Sequence, residues 1–552
     1  MENQEDVEPQ KVRRKRIRMP RVLIGVTLLL LLFYGVATLF RSALSDSVFQ
    51  FDFALVHIIW GIGVVALSLA WVVWLVFSSR GGLFLSRVLP AMIVILAVGA
   101  LVLYRPVFTG GMKISRWEPR FWNATTLTAS ADQRIEALAQ PTEKDFSQFL
   151  GAERNGQVNN LVAPLTTLDN MAPFFRQDIG KGWSGFAGRN GYAFTMEQRG
   201  NFECVSCYDL GNGGTLVWSH ETPRRHDDPL GQAGPRATPT LDGNRIYAAG
   251  ANGMLVCLDI TSGDVIWEVD LADLLGISLT ESEDSQGNRV QNEQSKMIWG
   301  RAASPLIVDD LLVIPGGGPL GEEQVSLLAF DKLTGQEKWR AGDVGTSYSS
   351  PVKFRIAGKD QIVVVNEASV TGHNPLTGDV LWSHPWPGNS DADANTSQPV
   401  LVGENQVLVS KGYGAGAELI EVNADGDDFR VETLWKNPRV LKTKLTNAVF
   451  YQGYLYALSD GILECVDAAT GKRVWKKGRY GHGQLLLVGD NLVVHSEEGT
   501  LHLIKATPDA YQELSEVDTV AGVCWNPICV FDKYILVRSD IEMACFQIEA
   551  GQ

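Results

Sequence analysis

Trp183, Arg236, Trp299, Arg301, Tyr348, Asn395, Asn447, His482 and Trp525 each stand in a short turn-like stretch just ahead of a short apolar run. The stretches read Gly182-Trp183-Ser184-Gly185, Gly234-Pro235-Arg236-Ala237, Trp299-Gly300-Arg301-Ala302, Thr346-Ser347-Tyr348-Ser349, Asn395-Thr396-Ser397, Lys444-Leu445-Thr446-Asn447, Gly481-His482-Gly483 and Gly522-Val523-Cys524-Trp525. Guanidinium forks, aromatic faces and amides brought to one place suit an anionic or planar ligand, or a peptide segment. Glu197 and Arg199 would join them if their strand turns that way. A plainer use for the same side chains is to solvate a channel and cap strands. Hydrolysis has no support, since there is no nucleophile elbow and no H-E-x-x-H. No metal site is expected either. Cys204 and Cys207 form a C-x-x-C, but on a strand that spacing throws the side chains to opposite faces, and no second pair follows at ligand spacing. The trio His226-Asp227-Asp228 is explained equally well by a solvated loop.

The elements that must position these residues are announced by a repeat. Asp259, Gly263 and Trp267 return as Asp331, Gly335, Trp339 and as Asp467, Gly471, Trp475, with Asn374, Gly378, Trp382 a close copy. Asp209 to Trp218 is a stretched copy, and Asn423, Asp425-Gly426 and Trp435 a degenerate one. The run before each acid alternates as a half-buried strand does, the Asp or Asn starts a turn, and the Gly supplies a positive backbone angle. The Trp then closes an outer strand and buries its ring against the next repeat. A further hairpin precedes each pair, as in Ala237 to Leu241, Asp242-Gly243-Asn244 and Arg245 to Ala249. Four short strands recurring about every 40 to 50 residues predict an all-β fold, an eight-bladed β-propeller. The last unit, Gly522 to Ile548, lacks an outer strand, for which Pro173-Phe174-Phe175-Arg176-Gln177 is the candidate.

These D-x-x-x-G-x-x-x-W units resemble the tryptophan-docking repeats of quinoprotein alcohol dehydrogenase-like (PQQ-like) propellers, and of the related non-catalytic propellers typified by BamB. The likeness covers roughly residues 146–550. It implies two functions. One is a scaffold or ligand-binding module in envelope protein assembly, meeting protein or peptide partners at the propeller face. The other is a membrane-bound, PQQ-dependent dehydrogenase of an alcohol or sugar, whose relatives also join N-terminal spans to an outward-facing propeller. That enzyme's chemistry implies PQQ over a Trp floor beneath an adjacent Cys-Cys disulfide, with Ca2+ and an Asp base. Here there is no Cys-Cys pair, no Asp in a leading stretch, and only Asn395, Asn447 and Glu197 as oxygen ligands. The scaffold therefore ranks first, with no cofactor and no catalytic residue expected, although Trp299 or Trp525 would suit stacking on a ring.

The first 104 residues are different material. The formal net charge is −15 overall, yet Lys11 to Arg21 is a basic cluster that abuts an uncharged apolar stretch. Spans are expected at 22–40, 53–77 and 88–104, after a basic cytoplasmic tail 1–21. The basic residues before the first span and at Arg80 and Arg87 place those segments in the cytoplasm, so three crossings put the propeller on the periplasmic or extracellular side of the cytoplasmic membrane. Ala43-Leu44-Ser45 is a faint cleavage site, and no Cys precedes Cys204 to carry a BamB-type lipid. His57 reads as an interfacial residue. The acidic remainder gives no support to nucleic-acid binding.

Residues 105–145 read as a juxtamembrane linker, with Trp117, Phe121 and Trp122 suited to a membrane interface or to packing beneath the propeller, and 129–139 to a short helix. Leu271 to Met297 is a long polar insertion between blades two and three, a flap over one face or a disordered excursion. Cys207, Cys257, Cys465 and Cys545 hold equivalent places on separate blades and read as small buried residues. Cys524 and Cys529 are close enough in sequence to bridge a turn, and their pairing is left open.

Overall fold

The computed structural model describes residues 21–39, 53–78, 89–119, 134–284, 287–386, 394–426 and 428–548, with the side chains of the helices in part. Two compact units result, Met1–Arg105 and Pro106–Gln552.

In the first unit helices form where the apolar runs lie: α1 (Arg21–Leu39), α2 (Phe53–Ser78) and α3 (Leu89–Leu103). α1 and α2 run antiparallel. Tyr34 meets Trp60 with ring centroids 4.6 Å apart, Leu30 covers Gly63, and the Trp71 indole donates to Thr27 Oγ1 at 3.3 Å. The expected three crossings find no support in these helices. Among the described residues no helix is long and apolar enough to cross a membrane. α3 is 15 residues long, a rise of about 22 Å against the roughly 30 Å of a hydrocarbon core. The His57 side chain, Ala43 to Ser45, Phe121, Trp122 and 129–133 lie outside the described residues.

The second unit is an eight-bladed all-β propeller. Blade one is Ala187–Arg189, Tyr192–Arg199, Phe202–Asp209 and Thr215–Thr222, and blade two is Thr240–Asp242, Arg245–Ala249, Met254–Asp259 and Val265–Asp270. Blades three to six follow as four-stranded antiparallel sheets from Leu306 to Ala341, Val352 to Pro385, Val400 to Asn437 and Val449 to Lys477. Blade seven, Gln484 to Asp518, gains a fifth strand, Gln157–Val158, parallel to its innermost strand. Blade eight takes its outer strand from the other end of the domain: Phe175–Asp178 pairs with Glu542–Gln547. The ring is thus closed by pairing its two ends, as the candidate strand beside Phe174 and Phe175 foretold.

The repeat does more than turn the chain. In blade two Asp259 Oδ1 accepts the Thr261 N–H at 2.8 Å, and the Gly263 N–H closes on the Asp259 carbonyl at 2.8 Å. Gly335 is at φ +72, and a Cβ on it would stand 2.7 Å from the Trp267 ring. The same holds for Gly263 against Trp218, Gly378 against Trp339 and Gly471 against Trp435. Each of these four Trp rings lies on the turn glycine of the next blade, and Trp267 and Trp435 also donate onward, to the Lys332 carbonyl at 3.1 Å and to Ala468 at 2.8 Å; Trp475 donates likewise to Thr507 at 3.0 Å but packs on Tyr456 and Tyr511. Trp382 does not reach a turn glycine of the next blade at all. The next blade carries the degenerate copy, whose Asp425-Gly426 lies at the tip of a ten-residue strand pair, out of reach. Trp382 packs instead on Gly372 and donates to Gln361 Oε1 at 2.6 Å, inside its own blade.

All seven cysteines are free and buried, Cys524 and Cys529 included. The insertion after blade two is ordered over its described residues. A short helical turn at Leu271–Leu274 leads to a hairpin, Leu279–Glu283 with Arg289–Glu293, held to blade one by Arg225 with Asp284 at 2.9 Å and by the Arg289 N–H on Asn201 Oδ1 at 2.7 Å. The 105–145 stretch is no simple linker. Tyr104–Phe108 and Ile114–Pro119 form a two-stranded sheet of their own, and beyond Arg134 only a 3-10 turn, Glu136–Leu138, replaces the expected helix.

A glycine-to-alanine pair separates the two duties of these turns. Gly243 has φ +55 and open space around it, so Gly243→Ala carries only backbone strain, about 1 kcal/mol. Gly335→Ala adds overpacking against Trp267 and is expected to cost roughly 3 kcal/mol in all. Thermal melts of the two variants are expected to rank in that order, and equal melting temperatures would refute the docking account.

Candidate functional site

The loops leading into the innermost strands and the turns joining each blade's second and third strands lie on one face, and the sequence-predicted residues divide among three places on it. Asn395 and Asn447 are consumed by the ring itself. Asn395 receives the Trp386 indole at 3.1 Å and donates to the Asn366 carbonyl at 2.8 Å, while Asn447 Oδ1 accepts the Gln398 N–H at 2.9 Å. Comparable bonds run from blade to blade elsewhere: Gly185 N–H to Thr238 Oγ1 at 3.1 Å, Thr238 N–H to Ser304 Oγ at 2.9 Å and Ser304 N–H to Ser350 Oγ at 3.0 Å. A polar residue leading each strand is how one blade satisfies the next.

Glu197 and Arg199 pair with each other inside blade one. Arg199 meets Glu197 Oε1 at 2.6 Å, the Tyr208 hydroxyl donates to the same oxygen at 2.7 Å, and the Gly180 N–H takes Oε2 at 2.6 Å. Burial pushes the Glu197 carboxyl up, but Arg199 and Arg538 outweigh it and hold the group below its ordinary range. Arg538, which the sequence reading missed, is fully buried and donates to the Gly180 carbonyl at 2.7 Å and Met196 at 3.1 Å, tying blade eight to blade one.

Arg236, Trp299, Arg301 and Tyr348 form the second group, over blades two to four. Trp299 and Tyr348 stack at 5.5 Å beside Met297 and Ala394. Burial raises the Tyr348 phenol, so it stays a neutral donor. Arg301 is clamped by Glu293, with Nε on Oε1 at 2.6 Å, a residue that the insertion supplies. Arg236 donates to the carbonyls of Gly231 at 2.9 Å and Gln232 at 2.7 Å, and its fork also faces Asp228 at 3.4 Å. Asp228 in turn binds His226 Nε2 at 3.0 Å and the Gly231 N–H at 2.6 Å, and Asp227 pairs with Arg225 at 3.1 Å. The His226 trio is a loop brace. Burial and Arg236 lower the His226 pKa, which keeps it neutral.

Beside this group sits Glu203, also unforeseen. Its Oε1 accepts the Ala251 N–H at 3.0 Å, while Oε2, Arg236 Nη1, the Asn252 amide and His226 Nδ1 have no hydrogen-bond partner within the described protein. Burial pushes the Glu203 carboxyl up to about 7, with Arg236 and Arg224 offsetting only part of the effect.

Trp183, His482 and Trp525 form the third group, at the mouth of the channel. The two indoles stack at 4.5 Å and tilt 39°, with Val107 and Val523 against them. Trp183 donates to the Gly231 carbonyl at 2.7 Å, and Trp525 to Glu497 Oε1 at 2.7 Å. Glu497 also accepts the His482 N–H at 3.2 Å. Its sequence context, Ser496-Glu497-Glu498-Gly499, reads as a solvated turn, and only long-range packing makes it a buried acceptor.

The dehydrogenase's requirements do not fit this mouth. No indole lies flat and free as a floor, because Trp183 and Trp525 tilt onto each other, and the carboxylates of Glu197, Glu293 and Glu497 are taken by Arg or N–H donors. Elsewhere, one group among the described residues could hold a metal ion: His502, Glu513 and Glu516, on the outer strands of blade seven, with ligand atoms within 4.8 Å of one another. There His502 Nδ1 lies 2.6 Å from Glu513, which also takes the Tyr511 hydroxyl.

Comparisons agree with this architecture. The profile of the family described as outer membrane protein assembly factor BamB matches residues 201–477. A protein of that name from Alteromonas naphthalenivorans is 25% identical over 273 residues, 47% of this chain and 59% of its own length. The chain thus spans less than two thirds of that relative. Its namesake from Burkholderia pseudomallei (strain K96243) is 22% identical over 335 residues, 55% of this chain and 82% of its own. Among solved structures, a quinohemoprotein alcohol dehydrogenase from Comamonas testosteroni superposes with a TM-score of 0.53 at 12% identity, over 75% of this chain and 85% of that one, a likeness of fold alone.

Glu203 gives the site a pH signature. The folded protein binds this proton more tightly than the unfolded chain, whose value is near 4.5. Its contribution is therefore fully present below about pH 4.5 and is lost as pH rises through about 7. Glu203→Gln keeps the Oε1 acceptor and removes the charge. Its melting temperature is expected to exceed the wild type's by about 2 °C or more at pH 8 and to match it near pH 4.5. A difference independent of pH would show that Glu203 is already ionised.

Proposed function

The chain belongs to the family described as outer membrane protein assembly factor BamB, half of it matching that family, and from that membership we propose that it is a scaffold for protein assembly rather than an enzyme. The observation that supports this most directly is how the polar residues of the mouth face are used. Arg236, Arg301, Asn395, Asn447, Glu197 and Glu497 all hold loops and neighbouring blades in place. A face so organised presents a fixed surface. On it Ile298, next in sequence to Trp299 of the Trp299–Tyr348 stack, and Leu320, in the turn joining the second and third strands of blade three, stand exposed, the mixture of apolar anchor and polar rim that protein interfaces use.

PQQ with Ca2+ is not expected to bind, since the carboxylates at the mouth already have donors and the indoles already have partners. We place the protein at the cytoplasmic membrane, its propeller on the periplasmic or extracellular side. The basic cluster before the apolar N-terminal stretches and the charge asymmetry around them support that placement.

Photo-crosslinking in cells tests the reading. A photoreactive residue at Ile298 or Leu320, on the mouth face, is expected to trap envelope proteins, while one at Leu376, exposed in a turn on the opposite face, is expected not to. Crosslinks from Leu376 alone would refute a partner surface on the mouth face. Membrane fractions resisting alkaline carbonate, with an active alkaline phosphatase fused after Gln552, are expected; release by carbonate would refute anchoring by the N-terminal segments. PQQ and Ca2+ are expected to leave the melting temperature unchanged, and a saturable rise would restore the dehydrogenase reading.

A further inference from the structure

The mouth of the channel has an occupant. Residues 106–119 belong to the same compact unit as the blades, yet they join no blade: their strands pair only with each other. The turn of this hairpin reaches the buried Glu497, whose Oε1 accepts the Gly110 N–H at 2.6 Å, and Lys444 Nζ grips the Gly110 carbonyl at 2.8 Å. Three residues before the glycine, Val107 is buried against Trp183, Val523 and Trp525. Six residues after it, Arg116 forms a two-pronged pair with Asp540, one arm at 3.2 Å. Lys181 meets Glu118 at 2.7 Å and Lys113 meets Glu498 at 3.5 Å. Only glycine fits at the tip, because a Cβ on Gly110 would fall 2.5 Å from the His482 ring.

The receiving groups are set without the hairpin. Glu497 is held by the Trp525 indole and the His482 N–H, and Asp540 Oδ1 accepts the Val523 N–H at 3.0 Å. The ring is complete too, since all eight blades have their four strands from residues after 156. A preorganised pair of buried carboxylates beside an indole clamp is a receptor for a chain that brings an N–H, a cation and an apolar residue in fixed order.

We propose that the channel mouth is a recognition site for a strand–turn–strand segment of a partner protein, with glycine at the tip, an apolar residue three before it and arginine six after it, and that residues 106–119 occupy this site in cis until such a segment displaces them. The inference rests on the scaffold reading and gives it a site and a partner chemistry. It also makes partner binding competitive, because an intramolecular segment is present at high effective concentration.

The full chain in detergent provides the test. Gly110→Val, or Lys113→Glu with Arg116→Glu facing Glu498 and Asp540, is expected to release the hairpin, seen as faster hydrogen exchange over 107–117 with the blades unchanged. A fluorescent peptide of residues 106–119 is then expected to bind the released variants at least tenfold more tightly than wild type. Adding Asp540→Asn or Glu497→Gln to a released variant is expected to weaken that binding, and a peptide carrying Gly110→Val is expected not to bind. A hairpin that stays protected in both variants is a fixed brace and overturns the proposal. So does equal binding to wild type and variant, or none to either. Should the peptide fail while crosslinks from Leu320 persist, only the inference falls and the scaffold reading stands.

Discussion

An indole lying on a glycine is the contact from which the rest of this propeller follows. Trp218, Trp267, Trp339 and Trp435 each cover the turn glycine of a following blade, and the indole N–H of Trp267 and Trp435 bonds to a carbonyl of that turn. The pairing joins two requirements in one residue. The turn needs a positive φ, and the ring needs a surface with no Cβ on it, so glycine answers both. The contact lies toward the outer strands and fixes how closely one blade approaches the next at four of the junctions. Where blade five offers no glycine at that place, Trp382 turns inward to Gly372 and Gln361, and the blade four to five junction relies on aliphatic packing among Val363, Val365, Val407 and Val409.

At the inner end of each blade the problem is different. The innermost strands begin beside a channel where backbone N–H groups would lack partners, and Thr238, Ser304, Ser350 and Asn447 each accept one from the preceding blade. The residue types that look like a binding ring in the sequence are there largely because buried backbone must be satisfied. This is why a polar and aromatic belt in a propeller is weak grounds for catalysis. It is also why the mouth face is rigid enough to serve as a docking surface, since a side chain bonded to two blades is held in place before any partner arrives.

Legibility from the sequence tracks the range of the interaction. Asp259, Gly263 and Trp267 are within nine residues of one another, so their turn and its periodic return could be read directly, and the eight blades and the closing strand at Phe175 came with them. Trp183 and Trp525 were also found, because they lead equivalent strands. Glu497, Asp540, Arg538 and Glu203 were not. Each is an ordinary charged residue in a turn or at a strand end, and only partners on other blades or outside them, from 48 residues away for Glu203 and Ala251 to 387 for Glu497 and Gly110, make it buried and consequential. The linker failed for the same reason: residues 106–119 carry no repeat, and their fit to the mouth is complementarity of shape and charge that no local pattern encodes. The N-terminal apolar runs did give helices, and among the described residues none of them is long and apolar enough to cross a membrane.

The chain that precedes the first blade bonds to the ring in two separate places, the mouth hairpin and the segment around Arg154. From the far side, Gln157–Val158 pairs with the inner strand of blade seven, and the Gln157 amide reaches the Phe450 carbonyl at 3.0 Å. Arg154 crosses toward blade three, where its guanidinium meets the carbonyls of Ser304 at 3.1 Å and Pro305 at 2.8 Å. Burial with no carboxylate against it among the described residues pulls the Arg154 pKa below the usual arginine range. A cation held by carbonyls alone is a costly thing to keep inside a protein. It is tolerated because the segment bearing it ties blades two, three, five, six and seven together through Ser147, Arg154, Gln157 and Val158. That segment and the hairpin at the mouth are the two pieces of chain before blade one that bond to several blades at once. The two differ in one respect: the Arg154 segment leads into a strand of blade seven, whereas the hairpin's strands pair only with each other, so on the mouth face the surface that can change is the one where the occupant belongs to no blade.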